Sequence, residues 1–174
     1  MKRYLSLLFP LLFLLSACEK EREFVFEIPF VREFDIPPGL NPNLTHFFEF
    51  RVDGFQDRLD EQLAQSGLSR QDSLLINPRF ARLEAIFPDG NYRFAQRVIV
   101  TILDNNNARE REVYFREDVP FNTGRAIDLV GSLSNVTTYL LDNSFILRVA
   151  IDPREFTPIL IPTRMNFSFV VRRP

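Results

Sequence analysis

Residues 145–171 read FILRVAIDPREFTPILIPTRMNFSFVV, and two runs within this stretch decide the fold. Phe145, Leu147, Val149 and Ile151 occupy alternate positions, and so do Met165, Phe167, Phe169 and Val171. A side-chain period of two turns one face of an extended chain toward a core and the other toward solvent, so both runs predict β-strands. The same pattern recurs upstream. Phe24, Phe26, Ile28 and Phe30 alternate with Val25, Glu27 and Pro29. Proline cannot donate to a ladder, so this strand is expected at a sheet edge or bending at Pro29. Thr45 to Val52 predicts a second strand with Phe48, Phe50 and Val52 on one face. Gln96 to Leu103 carries apolar residues on both faces and predicts a central, buried strand. Arg109 to Arg116 returns from the turn Asp104-Asn105-Asn106-Asn107, and Ala126 to Val130 is a short strand.

One segment breaks the period. Phe55, Leu59 and Leu63 recur every four residues, which puts one apolar face on a helix. Asp53-Gly54-Phe55-Gln56 has the form of a capping box, and Gly67 can close the helix in the left-handed conformation. Ser69 to Asp72 predicts a further helical turn stopping before Pro78, after which Phe80, Leu83, Ile86 and Phe87 return to the core. Asn135 is placed to cap a brief helix holding Tyr139 and Leu140. About eight strands, one principal helix and one or two helical turns predict a mainly β fold. The expected architecture is a single β-sandwich, Ig-like or jelly-roll-like, with a β-barrel as the alternative.

The chain has 174 residues, enough for one ordinary domain, and its 45% apolar content is that of a globular protein. Its 19 phenylalanines, with no tryptophan, read first as core filler on pleated strands. With 21 basic and 23 acidic residues there is no broad cationic footprint, so no nucleic-acid partner is expected. Cys18 is the single cysteine, which excludes an internal disulfide, and His46 is the single histidine, which leaves no Cys/His zinc set.

The N-terminus carries the strongest motif. Lys2 and Arg3 precede an apolar run from Tyr4 to Leu15. About a dozen residues fall short of the roughly 20 that span a bilayer, but suit a signal-peptide core. Leu15-Ser16-Ala17-Cys18 follows, then the charged run Glu19-Lys20-Glu21-Arg22-Glu23. This arrangement resembles the lipobox of bacterial lipoproteins. The resemblance implies cleavage between Ala17 and Cys18, with a diacylglycerol on the Cys18 sulfur and an acyl group on the new amino terminus. Residues 1–17 would then be the signal peptide, 18–23 the acylated cysteine and its tether, and 24–174 a single β-rich domain. Losing Lys2 and Arg3 leaves a mature charge of about −4. Lys20 and Glu21 partly resemble a surface-export signal of some Gram-negative lipoproteins, although Arg22 interrupts the acidic pattern. A solvated spacer is the alternative reading of the same residues. Asp is absent after Cys18, which under a known lipoprotein sorting rule favours the outer membrane. Periplasmic and surface faces both stay open.

The folded part offers little chemistry. His46, the one side chain with a near-neutral reference pKa, begins a strand beside Phe47 and Phe48 and reads as structural. No G-x-S-x-G, phosphate loop or dinucleotide fingerprint occurs, so no catalytic residue and no cofactor is expected. Asp104 to Asn107 and Asp142-Asn143 could offer oxygens to calcium, but such residues serve tight turns for backbone reasons, and no metal is expected. Asp72-Ser73-Leu74 resembles a short bacterial O-glycosylation pattern, which makes Ser73 a modification candidate, with an exposed helical turn as the alternative reading. Asn43, Asn135 and Asn166 head N-glycosylation sequons expected to stay unmodified in a bacterial lipoprotein. Arg154, Arg164, Arg172 and Arg173 gather toward the C-terminus, as a solvated edge or as contacts for anionic headgroups.

The expected function is therefore a non-enzymatic, lipid-anchored outer-membrane module. It would touch the membrane through its acyl chains and a protein or glycan through its domain. A carrier enclosing an apolar ligand among Phe side chains, and a surface-fibre subunit exchanging the Phe24–Phe30 strand, are the alternatives.

Overall fold

The computed structural model describes residues 23–104, 109–140 and 144–173. Residues 1–17, expected as a signal peptide, together with Cys18, Lys20, Glu21, Asn105 to Asn107 and Asp142-Asn143, lie outside the described residues.

The elements run β1 (Phe24–Ile36), β2 (His46–Asp53), α1 (Phe55–Gln65), β3 (Leu75–Ala85), β4 (Ala95–Leu103) and β5 (Glu110–Arg116). They continue with β6 (Ala126–Gly131), α2 (Thr137–Leu140), β7 (Ser144–Pro153) and β8 (Ile161–Arg172). The eight strands form one antiparallel sheet in the order β1-β8-β3-β6-β5-β4-β7-β2. The mainly β expectation holds, with one principal helix.

That order folds into two four-stranded halves, β1-β8-β3-β6 facing β2-β7-β4-β5, which is the strand arrangement of a jelly roll. The halves join through β5 and β6 at two residue pairs, Tyr114 with Gly131 and Phe115 with Val130. Their inner faces meet in aromatic contacts. Tyr114 of β5 lies 6.4 Å from Phe167 and 6.0 Å from Phe169 of β8, and Phe145 of β7 lies 6.0 Å from Phe169. On the opposite side β1 and β2 stand at the two ends of the sheet. There Phe34 of β1 meets Phe48 and Phe50 of β2 with ring centroids at 5.4 and 5.8 Å. The sheet is thus nearly closed and barrel-like, and β1 pairs with β8 along its whole length.

The alternating positions of 145–171 behave as their period requires. Phe145, Leu147, Val149 and Ile151 are fully buried, as are Met165, Phe169 and Val171, with Phe167 almost so. Helix α1 buries Phe55, Leu59 and Leu63. It does not begin with a capping box. Asp53 remains the last residue of β2, and Gly54 starts the helix with φ 76° and no side-chain cap, while Gln56 accepts from Arg70 instead. The left-handed φ is open to glycine, which makes the turn from strand to helix and brings no side-chain acceptor for the first-turn N–H groups. At the other end Gly67 (φ 66°) lets Leu68 N–H reach the Leu63 carbonyl at 2.9 Å, a Schellman-like closure. Asn135 caps α2, its Oδ1 accepting from Thr137 N–H at 3.0 Å.

The segment after Asp72 departs from the sequence expectation. Ser69 to Asp72 does form a turn, Asp72 N–H donating to the Ser69 carbonyl at 3.1 Å, but the stretch beyond it, expected only to return to the core, is β3, a central strand between β8 and β6. Pro78 is accommodated by a bulge between Pro78 and Phe80, where the ladder to β8 shifts register. Leu83 is buried as expected, whereas Phe80 and Phe87 are exposed. β4 is central, but its outer face, with Gln96 and Arg97 exposed and Ile99 half-buried, is not covered as its inner face is.

Antiparallel register sorts the connections. Ile36 pairs with Ile161, Ala85 with Thr163, Val98 with Arg116 and His46 with Ile151, so segments 37–45, 86–94, 117–125 and 154–160 share one end. Phe24 pairs with Arg172 and Asp53 with Ser144, so the first described residues and α1 lie at the opposite end.

Candidate functional site

The four shared-end segments each cross from one half of the sandwich to the other, and they lie side by side because their strands do. Backbone and side-chain bonds lace them together. Thr157 of the 154–160 segment holds the 37–45 segment: its carbonyl accepts from Gly39 N–H at 2.8 Å, its hydroxyl oxygen accepts from Leu40 N–H at 2.9 Å, and its hydroxyl donates to the Pro37 carbonyl. Arg154 N–H donates to the Phe94 carbonyl at 2.7 Å, and its guanidinium donates to the Val119 carbonyl. Tyr92 N–H reaches the Gly124 carbonyl at 3.0 Å, tying 86–94 to 117–125. Arg93 and Glu155 form an ion pair at 3.1 Å.

On this braced frame, large apolar side chains point outward. Phe121 is 81% exposed and Phe156 63%, and Leu44, Phe87, Ile159 and Leu160 are also exposed. The Arg154 guanidinium lies 3.9 Å from the Phe121 ring centroid, which holds that ring from below. Each of the four segments contributes at least one such residue. Scattered exposed apolar residues are ordinary, but a set gathered on one end makes that end the candidate site. Strand periodicity could not find these residues, because they stand alone among turn formers. The available signal was of another kind: Pro120-Phe121-Asn122 and Phe156-Thr157-Pro158-Ile159-Leu160 set bulky apolar groups in stretches with no strand face to bury them.

The residues singled out in the sequence do not come together. Ser73 is exposed just before β3, between a turn in which Asp72 accepts from Ser69 N–H at 2.6 Å and Leu74, which packs against the core. His46 is half-buried, with Nε2 3.0 Å from the Asn41 carbonyl oxygen. The four C-terminal arginines separate. Arg154 braces the loop end, Arg164 pairs with Glu33 at 2.9 Å, Arg173 pairs with Glu23 at 3.5 Å, and Arg172 lines a cleft near the other end. That cleft, about 370 Å³ and open, is lined by Asn77, Arg79, Leu133, Val170 and Arg172 among others. The carboxylate of Asp104 accepts from Arg109 N–H at 3.4 Å and its Nε at 3.2 Å, which closes the β4–β5 hairpin. Among the described residues no three His, Cys, Asp or Glu side chains converge to hold a metal.

Two phenols have strongly displaced acidities. Burial pushes the Tyr92 hydroxyl far up, and that hydroxyl donates to Thr163 Oγ1 at 2.9 Å. Burial does the same to Tyr114, whose hydroxyl donates to the Ser168 carbonyl at 2.7 Å. Both serve the core rather than a site. On the surface, a hydrogen bond from Arg70 lowers the Asp60 carboxyl below its usual range, and the pair bonds at 2.5 and 2.6 Å.

These features define a jelly-roll β-sandwich with an apolar loop platform at one end. Searched against known proteins, the chain matches no family model and no curated protein.

Proposed function

We propose that this chain is a non-enzymatic outer-membrane lipoprotein, held by acyl chains on Cys18, whose domain is a contact module for a protein or glycan. One observation carries the reading: the chain enters the sandwich at the end opposite the apolar loop platform. Cys18 lies five residues before Glu23, a span of at most about 17 Å. An anchored domain is therefore fastened at one end and presents its platform beyond the fastening. Cleavage after Ala17 exposes Cys18, which supplies the anchor, with Lys20 and Glu21 in its tether. Two or more acyl chains hold a protein stably where one does not. The inner Phe side chains favour a contact module over a carrier, because they pack on one another. Phe30 lies 5.4 Å from Phe167, and Phe55 lies 6.0 Å from Phe169.

Expression in a Gram-negative host with labelled palmitate tests the anchor. The wild-type chain takes up label and fractionates with the outer membrane. Cys18→Ser takes up none and leaves the membrane fraction. Equal labelling of both chains would sink the proposal.

A further inference from the structure

We infer that the partner of the loop platform is a second copy of this chain, the two sandwiches meeting loop end to loop end about a two-fold axis. The inference rests on reading this platform as a contact surface, and it names what covers it.

Area is the first argument. The six apolar residues Leu44, Phe87, Phe121, Phe156, Ile159 and Leu160 are between 42% and 81% exposed. A large apolar residue presents roughly 200 Å², so covering all six removes about 700 Å² from one copy. A symmetric pair removes about 1,400 Å², within the roughly 1,200–2,000 Å² of stable, specific interfaces. Two-fold contacts use the same patch on both partners, so a patch of this size suffices without a second surface.

Charge is the second argument. The segment 37–45 has no charged residue, and the other three hold Asp89, Glu117, Asp118 and Glu155 against Arg93, Arg125 and Arg154. Arg93 and Glu155 already satisfy one another, Arg154 is engaged with the Val119 carbonyl and the Phe121 ring, and Arg125 donates to the Ala85 carbonyl at 3.0 Å. With four acidic groups against three basic ones, the platform attracts neither a strongly acidic nor a strongly basic partner, and its single net negative charge repels its own copy only weakly. Its bracing is the third argument. Segments fixed by hydrogen bonds to one another lose little freedom on docking, which lowers the cost of association. The anchor permits the arrangement. Two sandwiches lying end to end along the bilayer, with the axis normal to it, keep both chain starts within reach of a tether of about 17 Å.

Sedimentation equilibrium of the full-length chain, extracted in detergent, tests this. The wild-type chain is expected to be a dimer at micromolar concentration. Phe156→Asp and Leu160→Asp should each weaken dimerisation at least tenfold, while Leu133→Asp, at a 96% exposed residue away from the platform, should leave it unchanged. A monomeric wild type, a larger assembly, or a dimer indifferent to both platform variants would overturn the inference. Thermal unfolding of each variant guards against misfolding, and Phe121→Asp replaces either variant that fails to fold. The palmitate experiment reads the anchor independently, so failure of the dimer and failure of the lipoprotein reading are told apart.

Discussion

Removing the ring of Phe55 is the sharpest test of how the sandwich is held together. Phe55 opens α1, is fully buried, and touches both halves of the core. Its ring stacks on Phe30 of β1 at 5.8 Å and meets Phe145 of β7 and Phe169 of β8 edge-on at 6.1 and 6.0 Å. Phe→Ala in a packed core costs about 3–5 kcal/mol, through lost transfer energy and the cavity left behind. Aromatic pairs add about 0.5–1.5 kcal/mol each beyond their area, and Phe55 has three. Neighbours on three different elements cannot collapse into the gap together, so Phe55→Ala should cost about 4–5 kcal/mol. For a domain this size that lowers the melting temperature by roughly 10–15 °C. Phe55→Leu keeps most of the volume and should cost about 1–1.5 kcal/mol. Urea unfolding followed by circular dichroism measures both against Leu133→Ala, which should stay within about 0.5 kcal/mol of wild type. A loss below about 1.5 kcal/mol for Phe55→Ala, or equal losses for the Ala and Leu variants, would refute the packing argument.

Two further outcomes follow from buried groups. Gly131 pairs with Tyr114 where the halves join, and a Cβ there would lie 2.6 Å from the Arg79 carbonyl oxygen and 2.7 Å from that of Pro78. Because these contacts are backbone at the β3 bulge, Gly131→Ala should destabilise by about 1–3 kcal/mol in the same assay, and a neutral effect would contradict the close approach. Burial raises the folded-state pKa of Tyr92 and Tyr114, so they bind their protons more tightly folded than unfolded. Their contribution is fully present below the unfolded phenol value near pH 10 and is lost as pH rises above it, by up to about 1.4 kcal/mol per pH unit for each. Absorbance titration at alkaline pH should therefore show both phenols ionising only with unfolding, and Tyr92→Phe should flatten the pH dependence of stability above about pH 10. Ionisation of both phenols in the folded protein near pH 10 would contradict their burial.

The strands were legible where a single face is buried. Phe145 to Ile151 and Met165 to Val171 alternate because each has one inner face, and period two is the signal of that geometry. The helix was legible from Phe55, Leu59 and Leu63, but its start was not. Asp53 and Gln56 have the spacing of a capping box, yet Asp53 is held in β2 by its pairing with Ser144. β3 was hidden for a related reason. Pro78 argues against a central strand, and only the bulge beside it, a feature of pairing with β8, removes the objection. The loop platform was illegible as a surface because its six residues come from four segments spread over 37–160. Only the strand order brings them to one end.

Sandwich and barrel are two descriptions of one arrangement, and the reason bears on the platform. The sheet is continuous through β5 and β6, but by two residue pairs, so the halves are free to fold face to face and fill the space between them with rings. At the open side, β1 and β2 are bridged by Phe34 with Phe48 and Phe50, and α1 supplies Phe55 to the core nearby. Closure by side chains leaves the strands in jelly-roll order, and in that order each of the four connections at the far end must cross between the halves. Strand neighbours then fix loop neighbours. A change in the core that lets the halves slide would misalign Leu44, Phe87, Phe121 and Phe156 without touching any of them. The packing around Phe55 and the alignment of the apolar platform at the loop end are therefore coupled through the strand order, and a variant that loosens the first should weaken the dimerisation proposed for the second.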